Sequence, residues 1–380
     1  MADGEEQKKR TESAEAAGDE NRLARLCRML GLGKLTREPR ALSGGFLHKM
    51  FEVNTETGHF AVKALNPEIT ARPGALKNFS VSEQIANRLK GIIPVGCARA
   101  FRGEYVQELD GQYYLVYDFL PGRALSAGEI TPEHAARIGA VLAKIHGADF
   151  SGIKLSDGDF GESGEPPVDW ASFAAQGKER GASWSGRLEE MLPSLAMLTE
   201  KSRAAEAALS GGEVVCHCDM DAKNVLWHDG VPAVIDWEAA GLLPPCRDFL
   251  DTALYWSMKP GGRLDGQCFL AFLEAYRARG ADGGRNLSKE AGCERELPSK
   301  QISGSESVRE TDWEAVLYAG CAGRLGWLEY SLKRALGLCT ADPAEQELGA
   351  SQIVPTLDDI DSYTRLFPEI MELLENGGCP

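Results

Sequence analysis

The stretch VVCHCDMDAKNVLWHDGVPAVIDWEAAG, residues 214 to 241, gathers thiols, imidazoles, carboxylates and an amide closely enough to hold a metal ion. Zinc is the first candidate, through Cys216, His217, Cys218 and the later Cys246. A strand-like run over 216–218 turns His217 away from the two thiols, and no second ligand pair follows at the spacing that closes a tetrahedron. The thiols read better as core. Magnesium takes oxygen ligands, usually one or two carboxylates together with phosphate oxygens. Asp219, Asn224 and Asp236 supply such a set. VLWHDGVPAVID predicts two short strands about an Asp-Gly turn, which folds Asp236 back beside Asn224.

His217, Asp219 and Asn224 stand at the spacing of a kinase catalytic loop, His-x-Asp followed after four residues by Asn. With that loop and the IDWE beyond it, the chain resembles the aminoglycoside phosphotransferase and choline kinase-like family of small-molecule kinases, over residues 40 to 340. The resemblance implies an α+β, protein kinase-like two-lobed fold, with a β-rich N-lobe carrying one main helix and a larger α-helical C-lobe. It implies ATP and Mg2+, and transfer of the γ-phosphate to a hydroxyl. Asp219 is then the catalytic aspartate, which orients the acceptor hydroxyl and takes its proton. Asn224, part of the same catalytic set, binds magnesium with Asp236, and His217 shapes the loop without ligating metal.

Further parts of an ATP site follow the same resemblance. FAVK sets Lys63 on the third strand, against the α- and β-phosphates, although a strand lysine taken alone is more often simply solvated. Glu83, on the following helix, is expected to pair with Lys63. Gly44 and Gly45 in LSGGFLHKMF let backbone amides approach phosphate, though a plain hairpin uses the same turn. LVYDFLPG takes the place of an interlobe hinge, with the Tyr117 carbonyl and the Phe119 amide meeting adenine. Glycine turn, strand lysine, helix glutamate, hinge, catalytic loop and metal aspartate arrive in the required order. After IDWEAAGLLPPCRDF the chain runs directly into a helix at Asp248, with no long segment to dock a peptide.

These residues need elements to hold them. Residues 1–20 form an acidic, polar tail with little to bury. NRLARLCRMLGLG predicts a short amphipathic helix, and the GLGKLT within and after it is no phosphate loop, because Arg28 replaces the required glycine. Hairpins are predicted about ETG and about the DG between EYVQEL and QYYLVYDFL. NFSVSEQIANRLKG predicts a helix whose apolar face carries Val81, Ile85 and Leu89. Residues 21–120 thus form a nucleotide-binding lobe. Past PGR, helical patterns dominate 121–380, beginning with a helix capped by Thr131 ahead of Pro132. Residues 281–311, rich in Gly, Ser, Glu and Lys, read as a mobile insertion.

Composition narrows the partners. With 57 Asp and Glu against 41 Lys and Arg, the formal charge of -16 repels nucleic acid and anionic membranes. Ten cysteines without a CxxC pair, a charged N-terminal stretch without an apolar core and no long apolar run fit a cytoplasmic protein. The expected partner is a small-molecule alcohol, with a cationic, aminoglycoside-like or amino-alcohol acceptor favoured. Glu238, Asp251 and Glu329 are the candidate anchors for its charge, and Trp313, Tyr318, Trp327 and Tyr330 either cradle it or fill core.

Two positions depart from the resemblance. Cys218 stands where many antibiotic kinases have glycine, and Asp221 with Lys223 replaces a commoner Pro-Gly pair before the asparagine. Lys223 either reaches the γ-phosphate or is a solvated loop lysine. The alternative function is a non-catalytic nucleotide-binding protein with the kinase fold, against which stand Lys63, Asp219, Asn224 and Asp236, all present.

Overall fold

A computed structural model describes residues 18–42, 48–155, 168–282 and 311–376. The Gly44-Gly45 turn, most of the acidic tail and nearly all of the predicted insertion lie outside the described residues. The chain forms two compact units, one of Met1–Leu125, Asp149–Leu155 and Asp219–Ala240, the other of Ser126–Ala148, Ser156–Cys218 and Gly241–Pro380.

The first unit is built on a five-stranded antiparallel sheet of order β1-β2-β3-β5-β4. Its strands are β1 (Arg40–Leu42), β2 (Lys49–Thr55), β3 (Gly58–Ala64), β4 (Gln107–Leu109) and β5 (Gln112–Asp118). The two predicted hairpins are present, and the second turns on Asp110-Gly111, where positive φ at both residues gives the backbone twist that matches a hairpin. Alternation along the strands separates two cores. Phe51, Val53, Phe60, Val62 and Val116 bury one face under Leu23, Leu26 and Cys27 of helix α1, residues 18–29. Leu65, Ala98 and Leu115 bury the other with Phe79, which belongs to α3 (Ala75–Arg88), a helix that follows the four-residue α2 (Pro67–Thr70). Each such side chain contributes about 1.5–3 kcal/mol by leaving water. Lys63 therefore starts from the α3 face, opposite Met50 on β2 and Leu115 on β5.

On α3, Ile85 and Leu89 are buried as predicted, while Val81 is only half-buried. Ser82 and Glu83 share the buried stripe instead, so the inner face of this helix is partly polar. The segment 219–240 joins the same unit as a hairpin, treated below.

The second unit is mainly helical. Thr131 caps α4 (Pro132–His146) as expected, accepting from the His134 amide. Helices α5 (Trp170–Glu179) and α6 (Ser185–Leu209) lead to a short antiparallel pair, β6 (Val214–Cys216) with β9 (Gly241–Leu243), and then to α7 (Pro245–Tyr255). Helix α8 (Gly266–Asp282) packs on α4 so closely that a Cβ at Gly139 would stand 2.3 Å from the Phe272 carbonyl oxygen. The predicted helical stretch 312–336 is broken at Gly320 into α9 (Trp313–Ala319) and α10 (Cys321–Ala335), with the Tyr363 hydroxyl against that glycine. Helices α11 (Pro343–Arg365) and α12 (Phe367–Asn376) complete the unit. No helix among the described residues is long and apolar enough to cross a membrane.

Candidate active site

The catalytic-loop sequence begins where β6 ends. Cys218 has φ of 64°, a left-handed conformation that glycine adopts without strain and a side chain resists. Asp221 then caps a single turn, Ala222–Asn224, its Oδ1 accepting from the Lys223 amide at 2.8 Å. This turn swings Asn224 inward. The buried Asn224 donates through Nδ2 to the Asp219 carbonyl at 2.8 Å and to Asp219 Oδ2 at 2.9 Å. The Lys223 ammonium lies 3.0 Å from Asp221 Oδ2 and 3.3 Å from Asp219 Oδ2. Burial pushes the Asp219 carboxyl up to about 6, with Lys223 pulling the other way.

Beyond the loop, β7 (Val225–His228) and β8 (Val231–Val234) pair about Asp229-Gly230, both at positive φ, as the Asp-Gly signal predicts. The Ile235 amide donates to the Asn224 carbonyl at 2.9 Å, so the chain brings Asp236 back beside the loop. Asp236 is itself left-handed, with φ of 61°. Its Oδ1 accepts from Lys63 Nζ at 2.7 Å, and Glu238 Oε2 accepts from the same ammonium at 2.9 Å. His48 stands on the far side of Glu238, Nε2 to Oε2 at 3.2 Å. His48 Nδ1 accepts from the Asn66 amide at 2.9 Å. Burial opposes the charged form of Lys63, but its two carboxylates outweigh that and hold its pKa up. Burial would likewise raise Glu238, yet His48 and Lys63 hold it below the usual carboxylate range.

Several predicted roles are placed differently. Glu83 does not bind Lys63 here: its Oε1 accepts from the Tyr117 hydroxyl at 2.7 Å and its Oε2 from the Ala98 amide at 2.6 Å. Burial raises the Glu83 carboxyl. Lys63 has Asp236 and Glu238 instead, both presented by the hairpin's exit. The Phe119 amide, predicted to meet adenine, donates to the His59 carbonyl at 3.0 Å, and its ring stacks on His59 at 3.9 Å. Tyr117 is inside the sheet, opposite Ala61 and bridged to Ala98.

The three acidic acceptor anchors are each already beside a cation of the chain. Glu238 has Lys63; Glu329 has Lys333 at 2.7 Å; Asp251 lies 3.7 Å from Arg324 and 4.0 Å from Arg247. Of the aromatic candidates, Trp313 packs on Phe249 and Tyr318 on Phe367, both half-buried, whereas Trp327 is exposed and tilts against Tyr330.

The zinc reading fails on geometry. Cys216 does converge with His146 and Asp248, but Asp248 Oδ2 is hydrogen-bonded to His146 Nε2 at 3.0 Å and Oδ1 accepts from the Cys218 amide at 3.2 Å. His146 Nδ1 meets the Tyr276 hydroxyl at 2.8 Å. Among the described residues that cluster gathers neither His217, Cys218 nor Cys246 with Cys216, so the four ligands read from the sequence do not converge. This is a brace behind the loop. No short-range sequence pattern marks His146 or Tyr276 for this role.

A magnesium ion suits the other set. Lys63 takes Oδ1 of Asp236 and the Asp219 contacts use Nδ2 of Asn224, so Asp236 Oδ2 and Asn224 Oδ1, both hard oxygens, remain for a cation.

Among solved structures, a spectinomycin phosphotransferase in complex with ADP and spectinomycin is 13% identical, with a TM-score of 0.61 over 90% of this chain and 98% of that one. A putative aminoglycoside phosphotransferase from Ralstonia eutropha is 18% identical, with a TM-score of 0.54 over 91% and 98%. An amicoumacin kinase in complex with AMP-PNP, Ca2+ and its antibiotic is 14% identical, with a TM-score of 0.55 over 86% and 88%. These likenesses establish the protein kinase-like α+β fold. No curated protein matches. Residues 38–282, more than half of the chain, match the phosphotransferase enzyme family, and the chain belongs to that family of small-molecule kinases.

Proposed function

We propose that the protein is an ATP- and Mg2+-dependent phosphotransferase that moves the γ-phosphate to a hydroxyl of a small molecule. The observation that carries this reading is the pinned Asp219, whose carboxylate and backbone carbonyl each accept a hydrogen bond from Asn224, in the same unit as the Lys63–Asp236 pair. A carboxyl raised to about 6 is still a base at neutral pH, and more basic than an ordinary aspartate.

Asp219 orients the acceptor hydroxyl and receives its proton as the oxygen attacks phosphorus. Lys63, kept charged by its carboxylates, turns to the nucleotide's phosphates, where catalysis consists mainly of positioning and charge neutralisation. Asp236 and Asn224 hold the magnesium ion, which when bound neutralises phosphate charge. Because the Phe119 amide is committed to the sheet, backbone alternation moves the adenine-facing register by one residue, to the Leu120 amide.

The acceptor is a hydroxylated small molecule. An amine on it would compete with Lys63, Arg247, Arg324 or Lys333 for the acids named above, so the aminoglycoside-like preference rests on family membership alone. The test is a panel of amino, neutral and anionic alcohols incubated with magnesium-ATP and read by mass spectrometry. A phosphorylated product is expected from at least one. Absence of nucleotide binding, with or without magnesium, would overturn the assignment.

A further inference from the structure

The Lys223 ammonium touches both oxygens of Asp219, at 3.3 and 3.4 Å, and Asp221 Oδ2 at 3.0 Å. Its backbone is fixed by the one-turn helix: its own amide is bonded to Asp221 Oδ1, and the Asn224 amide to the Asp221 carbonyl at 3.1 Å. The side chain itself is more than half exposed. An exposed ion pair of this kind contributes little to stability. Its placement is what matters.

An acceptor hydroxyl gives up its proton only by reaching an oxygen of Asp219 within hydrogen-bond distance. Asn224 already holds Oδ2, and the Lys223 ammonium lies on both oxygens. An arriving hydroxyl therefore displaces the ammonium. Asp221 keeps it within a side chain's swing of the carboxylate, and the anion in line with the hydroxyl is the phosphoryl group being transferred.

We infer that Lys223 is a further catalytic residue, which rests on Asp219 in the absence of nucleotide and moves onto an oxygen of the γ-phosphate when the triphosphate is bound, leaving Asp219 to the acceptor hydroxyl. The inference rests on the phosphotransferase reading. In the step itself the acceptor oxygen bonds to the γ-phosphorus, the bond from that phosphorus to ADP breaks, the hydroxyl proton passes to Asp219, and Lys223 stays protonated throughout. Its charge offsets the negative charge on the transferring oxygens, as a preorganised cation does best.

Calorimetry in magnesium buffer, with ADP and with the β,γ-imido analogue of ATP, tests this on four proteins: wild type, Lys223→Met, Asp219→Asn and the double variant. Lys223→Met is expected to weaken the imido analogue about tenfold, the scale of one charge-assisted hydrogen bond, and to leave ADP within about twofold. The same loss is expected when Lys223→Met is added to Asp219→Asn, and Lys223→Arg should recover most of it. An unchanged affinity for the analogue, or a loss that disappears in the Asp219→Asn background, would overturn the inference, because Lys223 would then only screen Asp219. Failure of the wild type to bind either nucleotide would instead overturn the phosphotransferase reading.

Discussion

Two aspartates of this chain, Asp219 and Asp248, have opposite surroundings. Asp248 is wholly buried, with His146 on one oxygen and the Cys218 amide on the other. Burial would raise its pKa, but His146, His217 and that amide outweigh it and hold the carboxyl below its ordinary value. Asp219 is partly exposed, held by one amide side chain and a solvated lysine, and burial wins there. A carboxylate that is fully hydrogen-bonded is stabilised as an anion and becomes a poor base. One whose burial outweighs its hydrogen bonds stays basic, and that is the one a proton transfer uses.

The largest expected effect falls on Asp219. Asp219→Asn should lower turnover about 10³-fold, within the range usual for a lost general base, while magnesium-ATP still binds. Its side chain and its lysine partner are partly exposed, so the thermal midpoint should move little. Steady-state kinetics beside a melting curve checks this. A variant that keeps most of its turnover would show that the basic carboxylate is not the reacting one.

Asp248→Asn should reverse the pattern, costing about 3 kcal/mol of stability, the scale for leaving buried partners of a charged hydrogen-bonding group unsatisfied. The pH dependence follows from the sign of the shift. A carboxyl whose folded pKa is depressed stabilises the protein above its unfolded pKa, near 4, and that contribution vanishes as pH falls through the lower folded value. The deficit of the variant should thus be full at neutral pH and shrink below pH ~4. Urea titrations at several pH values measure it, and a deficit that grew on acidification would contradict the depressed carboxyl.

That contrast also marks how far the sequence could be read. Spacing placed Asp219, Asn224 and Asp236 together, because an Asp-Gly turn has few conformations and fixes the register of β7 and β8. Turn signals placed the two hairpins of the larger sheet in the same way. The partner of Lys63 was not legible. Both Glu83 and Asp236 lie far from it in the chain or on another element, and which one it meets depends on the Tyr117 hydroxyl and the Ala98 amide, which satisfy Glu83 first. The His146–Tyr276 brace was hidden for the same reason, since its residues are 130 apart and neither forms a local pattern. Local chemistry is written in short spacings; the satisfaction of buried charge is settled by packing.

The smallest expected effect lies at the residue joining the two aspartates. Cys218 gives its amide to Asp248 and its carbonyl carbon to the peptide that begins Asp219, and it does so in a left-handed conformation, φ 64°. For a residue with a β-carbon that conformation costs about 1–2 kcal/mol, which glycine avoids at the expense of a looser unfolded chain. Cys218→Gly should therefore be more stable than Cys218→Ala by about 1 kcal/mol, because both lose the thiol and only alanine keeps the strain. If the conformation is what matters for catalysis, turnover of Cys218→Gly should stay within about twofold of wild type, since Asp248 still holds the same backbone amide. Paired melting curves and turnover assays on the two variants decide it. Equal stability would mean the left-handed residue is not strained, and a large loss of turnover in the glycine variant alone would mean that the stiffness of residue 218, and not only the hydrogen bond to Asp248, keeps Asp219 in place.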